Sequence, residues 1–256
     1  MHIVYFFTFG YSLDSWNSSG IIDREIKIFE KLVQKYNYKF TLVTYGGIED
    51  KRYSIGKNIK VVPIYTLISK SENNFINIYK SFFLSRKLKK ELGSFDLIKQ
   101  NQLMGSWVSI MCSVLYKKPY YLRSGYDMYQ FSILEKKHFS IVGLYKLVTY
   151  FSIKFSNLYS VTSNKDLAFL NAKFSKSKKN IVIRPNWVQR VNITNKDRFE
   201  NRILCVGRLC YQKNFEYIIK EFKNTENILT LDFVGSGEEI TKLEESAKTN
   251  HVSVNF

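Results

Sequence analysis

Residues 203–238 read ILCVGRLCYQKNFEYIIKEFKNTENILTLDFVGSGE, and their pattern decides the fold class. A short apolar run over 203–206 enters Gly207-Arg208, a loop follows, and Lys213-Asn214 opens a helical pattern over 214–223. A second strand pattern over 229–234 ends in Gly235-Ser236-Gly237-Glu238 and enters a helix over 238–248; a third strand is expected over 252–256. That succession, β-α-β-α-β, is one mononucleotide-binding half of a Rossmann-type sheet. Gly207 lets the backbone turn at the carboxyl end of its strand, where open α/β sheets bind ligands. Arg208 and Lys213 set two cations beside that crevice, suited to a diphosphate. The helix entered at Glu238 offers its N-terminal amides to an oxyanion. The same residues also fit two ordinary strand-to-helix turns with solvated basic side chains.

Upstream, the alternation runs almost from end to end. Strands are expected over 2–8, 40–44, 60–64, 95–99, 120–123, 158–162 and 181–184, and helices over 20–36, 75–92, 103–116 and 164–174. In 20–36, Ile22, Ile26, Phe29 and Val33 share one helical face while Arg24, Lys27 and Lys31 point elsewhere. Strands buried on both faces and joined by helices imply a doubly wound parallel sheet. The polar stretch over 185–200, which carries Pro185, suggests a boundary. The expected organisation is a Rossmann-like domain over 1–186, a linker over 187–200, and an incomplete second Rossmann-like domain over 201–256.

The chain has 256 residues, 45% hydrophobic and 24% charged, which excludes a disordered class. Lys and Arg number 39 against 22 Asp and Glu, giving +17 and a preference for an anionic partner. That partner class spans nucleic acid, an anionic membrane and a phosphorylated substrate. Three cysteines, Cys112, Cys205 and Cys210, argue for a reducing compartment rather than a disulfide framework. Cys205 and Cys210 have no His partners at metal-site spacing, since the three histidines are His2, His138 and His251; no metal is expected. The start, MHIVYFFTFGYS, lacks a basic n-region, and no run reaches a membrane span, so an intracellular location is expected.

The stretch 203–238 resembles the start of the C-terminal domain of retaining glycosyltransferases of family 4. The residues that match are Gly207, Arg208, Lys213, Asn214, Gly235 and Gly237. Ile183-Arg184-Pro185-Asn186-Trp187-Val188 is similar to the family's interdomain segment. The resemblance implies the GT-B fold of two facing Rossmann-like domains and a nucleotide-sugar donor. It also implies a glycan acceptor of the cell envelope or an exopolysaccharide, carried on a lipid. Arg208 and Lys213 are then the residues that contact the donor diphosphate and stabilise the leaving group, with no metal, no cofactor and no protein nucleophile. Gly10, Gly207, Gly235, Gly237 and Glu238 become donor-side candidates, and Gly20, Arg24 and Arg123 acceptor-side candidates. The segment Arg123-Ser124-Gly125-Tyr126-Asp127 is similar to one seen in some members, so Asp127 joins the catalytic candidates as a group that orients or deprotonates an acceptor hydroxyl. Capping of the following helix is the structural alternative for Asp127, and an exposed pair with Glu25 is that for Arg24.

Two departures stand out. Many members carry a histidine after the fourth strand, where this chain has Gln100-Asn101-Gln102. The family's E-x7-E element, which holds the donor sugar and ribose, would lie beyond Phe256, so residues 1–256 are expected to bind a nucleotide diphosphate weakly without transferring sugar. A non-catalytic sugar-phosphate-binding remnant and a basic nucleic-acid-binding protein are the competing readings. Basic or amphipathic clusters occur at 86–90, 173–179 and 135–157. The last is aromatic and apolar with Lys136, Lys137, Lys146 and Lys154. It suits either a buried helix pair with solvated lysines or peripheral contact with an anionic membrane, at the inner face of the plasma membrane.

Overall fold

The computed structural model describes residues 1–53, 55–174, 181–188, 201–222 and 230–256. The chain divides into two compact units, Met1–Val188 and Gln189–Phe256. Most of the expected linker and the end of the 173–179 cluster fall outside the described residues.

The first unit is built on strands β1 (His2–Phe6), β2 (Lys39–Thr44), β3 (Ile59–Pro63), β4 (Leu97–Asn101), β5 (Tyr120–Arg123), β6 (Leu158–Val161) and β7 (Ile181–Ile183). They form one sheet in the order β3-β2-β1-β4-β5-β6-β7, and every pairing is parallel. Parallel neighbours need crossovers, supplied here by helices α1 (Leu13–Ser18), α2 (Ile22–Tyr36), α3 (Asn74–Ser81), α4 (Leu84–Lys87), α5 (Lys89–Leu92), α6 (Ser106–Tyr116), α7 (Met128–Leu134), α8 (Phe139–Phe155) and α9 (Asn164–Lys173). Val4, Phe7, Leu42, Ile98, Leu122 and Tyr159 are wholly buried in its core.

Four expectations change here. The stretch 11–19, where no element is expected between strand 2–8 and helix 20–36, contains α1: Ser12 and Ser15 form a reciprocal capping box, and Trp16 stacks on Phe7 at 4.1 Å. The helix expected from residue 20 starts at Ile22, with Ile22 and Phe29 buried. The single helix expected over 75–92 is three short ones. The break follows Ser81, whose hydroxyl donates back to the Ile78 carbonyl at 2.6 Å and accepts the Trp107 indole N–H at 2.8 Å, a pattern that bends helices. Finally, the possible helix pair over 135–157 is one helix, α8, which packs Val142, Tyr145 and Tyr150 on the core and leaves other apolar residues exposed. In α8 only Thr149, Ser152 and Ile153 are buried.

The second unit contains β8 (Arg202–Val206), α10 (Phe215–Phe222), β9 (Thr230–Val234), α11 (Ile240–Asn250) and β10 (Ser253–Asn255). Its parallel sheet runs β10-β9-β8. Both crossovers step in the same direction, so right-handed connections put α10 and α11 on one face. There, Leu209, Ile219, Leu231, Phe233 and Leu243 make a small core. On the other face Leu204, Val206 and Val234 are exposed.

Candidate functional site

In the second unit the two strand-to-helix loops are locked together through their backbones. The Gly207 amide donates to the Val234 carbonyl at 3.0 Å, and the Leu209 amide donates to the Ser236 carbonyl at 2.9 Å. The Glu239 amide donates to the Leu209 carbonyl at 3.0 Å, so that amide is not free for an anion. This approach explains two glycines. A Cβ at Gly235 would stand 1.9 Å from the Gly207 carbonyl oxygen, and one at Gly237 would stand 2.1 Å from that of Leu209. Buried Leu209 anchors the platform, and a tight turn over Tyr211–Lys213 leads through left-handed Asn214 into α10.

On that platform the Lys213 alkyl chain lies beside Gly207, its Cε 3.5 Å from where a Cβ would stand. Arg208 and Lys213 are both exposed, and neither has an ion-pair partner among the described residues. Neighbouring cations are paired instead: Arg202 with Asp232 at 2.6 Å, Lys220 with Glu216 at 2.6 Å, and Lys242 with the same Glu216 at 2.5 Å. Two uncommitted cations thus sit at the carboxyl end of a parallel sheet, on a loop hydrogen-bonded through its backbone to the neighbouring one. Glu238 is exposed in the turn before α11, which begins two residues later than expected.

In the first unit the carboxyl ends of the strands are tied to one another by side chains. Thr8 Oγ1 donates to the Asn101 carbonyl at 2.9 Å, and the Phe9 amide donates to the Met104 carbonyl at 3.0 Å. Gly10 follows in the turn closed by the Tyr11 amide on Thr8. Buried Asp50 accepts from the amides of Leu13 and Asp14 at 3.2 and 3.1 Å, holding the start of α1. Gly20 lies in the turn between α1 and α2, and Arg24 is exposed and paired with neighbouring Glu25 at 2.6 Å. At the end of β5, the Arg123 guanidinium donates to Asn186 Oδ1. The Lys31 ammonium lies 5.0 Å from the centre of the Trp187 ring, so segment 184–188 is held at two points.

Asp127 is buried as the N-cap of α7, its Oδ1 accepting from the Gln130 amide at 2.7 Å. Its Oδ2 has no hydrogen-bond partner among the described residues. Burial raises its pKa to about 6, against the lowering effect of the Gln130 amide. The helix-cap role is the one its contacts display.

At the end of β4 the chain places a structural amide and a bridging one. Gln100 is wholly buried, donating to the Phe7, Asn101 and Met104 carbonyls and accepting from Ser109 at 2.5 Å. Gln102 accepts from the Gly125 amide at 2.8 Å and so ties the end of β4 to the loop after β5. Lys99 went unnoticed in the sequence because it reads as a strand end. It lies within β4, its ammonium 5.1 Å from the Tyr5 ring centre and 5.6 Å from that of Tyr121. Burial, with Arg123 adding, lowers its pKa to about 8.

No family model matches the chain, and no curated protein matches it. Solved structures do. Sucrose-phosphate synthase from Thermosynechococcus elongatus superimposes with a TM-score of 0.76 at 13% identity, over 100% of this chain and 70% of its own. The lipopolysaccharide outer core galactosyltransferase WaaB gives 0.59 at 18% identity, over 100% and 67%. HepE from Anabaena, in complex with UDP and glucose, gives 0.57 at 12% identity, over 100% and 68%. The fold is GT-B. The GT-B neighbours are glycosyltransferases, and this chain spans about two thirds of the length of these three.

Proposed function

We propose that this GT-B chain serves a retaining glycosyltransferase similar to family 4. It takes a nucleotide sugar and passes the sugar to a lipid-linked glycan of the cell envelope or an exopolysaccharide. The observation that supports this reading is the platform of Gly207, Gly235 and Gly237 bearing two unpaired cations at the carboxyl end of a parallel sheet. Arg208 and Lys213 hold the donor diphosphate and offset the negative charge that grows on it as the glycosidic bond breaks. They supply the charge a magnesium ion supplies elsewhere, so transfer is metal-independent. The domain over 1–186 takes the acceptor, with Arg123 toward its phosphate. Asp127 contributes by holding the loop after β5. The enzyme works in the cytoplasm, peripheral to the plasma membrane, with 135–157 toward anionic lipid; among the described residues no helix is long and apolar enough to cross a membrane.

UDP bound to HepE supports a nucleoside diphosphate as the ligand class. Thermal denaturation of the chain with a series of nucleoside diphosphates and nucleotide sugars is the test. At least one of them should raise the melting temperature, by mass action on the folded state. Steeply salt-dependent binding of RNA or DNA, without stabilisation by any nucleotide sugar, would replace this reading with a nucleic-acid-binding one.

A further inference from the structure

Two surface helices of the first unit carry large apolar side chains on their outward side, and α8 carries them on the side that meets the core as well. In a soluble surface helix, apolar side chains face the core and polar ones face water. In α8 the buried positions hold Thr149, Ser152 and Ile153, and Ser152 donates to Ser106 of α6 at 2.9 Å. Its outward stripe is Leu144, Leu147, Phe151 and Phe155, at helical spacing, with Phe139 80% exposed at the N-terminus. α3 shows the same outward apolar side over a polar inward one. Asn77 and Ser81 are buried, Asn77 bonding both the amide and the carbonyl of Ser71, while Phe75 is 81% and Tyr79 66% exposed. The outward aromatic run continues through Phe82 and Phe83 into α4. α4 packs on α6 and α6 on α8, so these helices belong to one layer, and α6 adds exposed Val114 and Leu115.

Single exposed apolar residues are ordinary, but a layer that buries Leu84, Val108 and Ile153 inward and still presents a run of large apolar groups outward is adapted to an apolar partner. Charge identifies that partner. Between Asn73 and Lys165 the sequence carries fourteen Lys and Arg against four Asp and Glu. Arg86, Lys87, Lys136, Lys146 and Lys154 are exposed beside the outward apolar groups. Aromatic and aliphatic side chains set among cations, with acidic groups nearly absent, complement the headgroup and upper acyl region of an anionic bilayer.

We propose that the outward face of the α3–α4–α6–α8 layer docks on an anionic lipid bilayer, lying on it rather than crossing it. This extends the contact assigned above to 135–157 across a whole layer, and its test is separate from that of the transferase reading.

The test is co-sedimentation of the chain with phosphatidylcholine vesicles, with and without phosphatidylglycerol, across a salt series. Binding should require phosphatidylglycerol and weaken as salt rises. It should fall about tenfold or more in F75S/Y79S/F83S and in L144S/L147S/F151S, since each removes three outward apolar groups. K146E/K154E, at two exposed positions, should weaken binding with the fold intact and so covers a serine variant that fails to fold. Nucleoside-diphosphate affinity, measured on the same variants, should not change. Equal binding to both kinds of vesicle would overturn the proposal, as would serine variants that are folded and bind normally. A dimer in solution that the serine variants dissociate would also overturn it, by assigning the face to a second copy.

Discussion

Asp127 and Lys99 are two buried ionisable groups whose environments oppose their charge. The Asp127 carboxyl, pushed up to about 6, holds its proton more tightly folded than unfolded, so its contribution to stability is complete below about pH 4 and is lost as pH rises through 6. Asp127→Asn keeps the acceptor for the Gln130 amide and removes the charge. It should therefore stabilise the protein at pH 7 by about 1–3 kcal/mol and have little effect below pH 4, read from urea denaturation at both values. Lys99, lowered to about 8, runs the other way: the unfolded chain binds the extra proton, so stability should climb between about pH 8 and 10. Lys99→Met should flatten that climb; an unchanged slope would mean that Lys99 is solvated. The positions of Arg208, Lys213 and Arg123 at strand carboxyl ends were legible in the sequence because each stands at or just after the end of an expected strand. Lys99 was not, because its burial depends on Tyr5 and Tyr121 of neighbouring strands.

At the scale of elements, the alternation of strand and helix was readable because it follows periodicity, and all ten strands overlap their expected positions. What escaped was set by side-chain bonds that periodicity does not register. α1 depends on the Ser12–Ser15 box and on Asp50, thirty-eight residues from Ser12 in sequence, and the break after α3 depends on Trp107. Gly235 and Gly237 were legible as a strand-to-helix turn, whereas their packing against the loop after β8 was not. Gly237→Ala sets a Cβ against a backbone carbonyl that cannot swing away. It should destabilise the second unit by about 1–3 kcal/mol, visible as faster amide exchange in β8 and β9. Exchange equal to that of the unsubstituted chain would show that the loops separate readily.

At the scale of the molecule, the units differ in how much they enclose. The first surrounds a seven-stranded sheet with nine helices among the described residues, and the second covers one face of three strands. Amides of β8, β9 and β10 should therefore exchange faster than those of β1, β4 and β5, as hydrogen-exchange mass spectrometry would show. The sequence pattern anticipated both parallel sheets, because the alternation of strand and helix implies them. It left open whether 135–157 was enclosed, since apolar composition alone does not say which side of a helix meets the core. The proposed transfer depends most on two cations acting together on a diphosphate. Calorimetric titration of a nucleoside diphosphate into the chain, and into Arg208→Ala and Lys213→Ala, tests it directly. Binding should weaken in each variant by about 1.5–3 kcal/mol, the worth of a charged hydrogen bond. Affinity unchanged in both variants would contradict it.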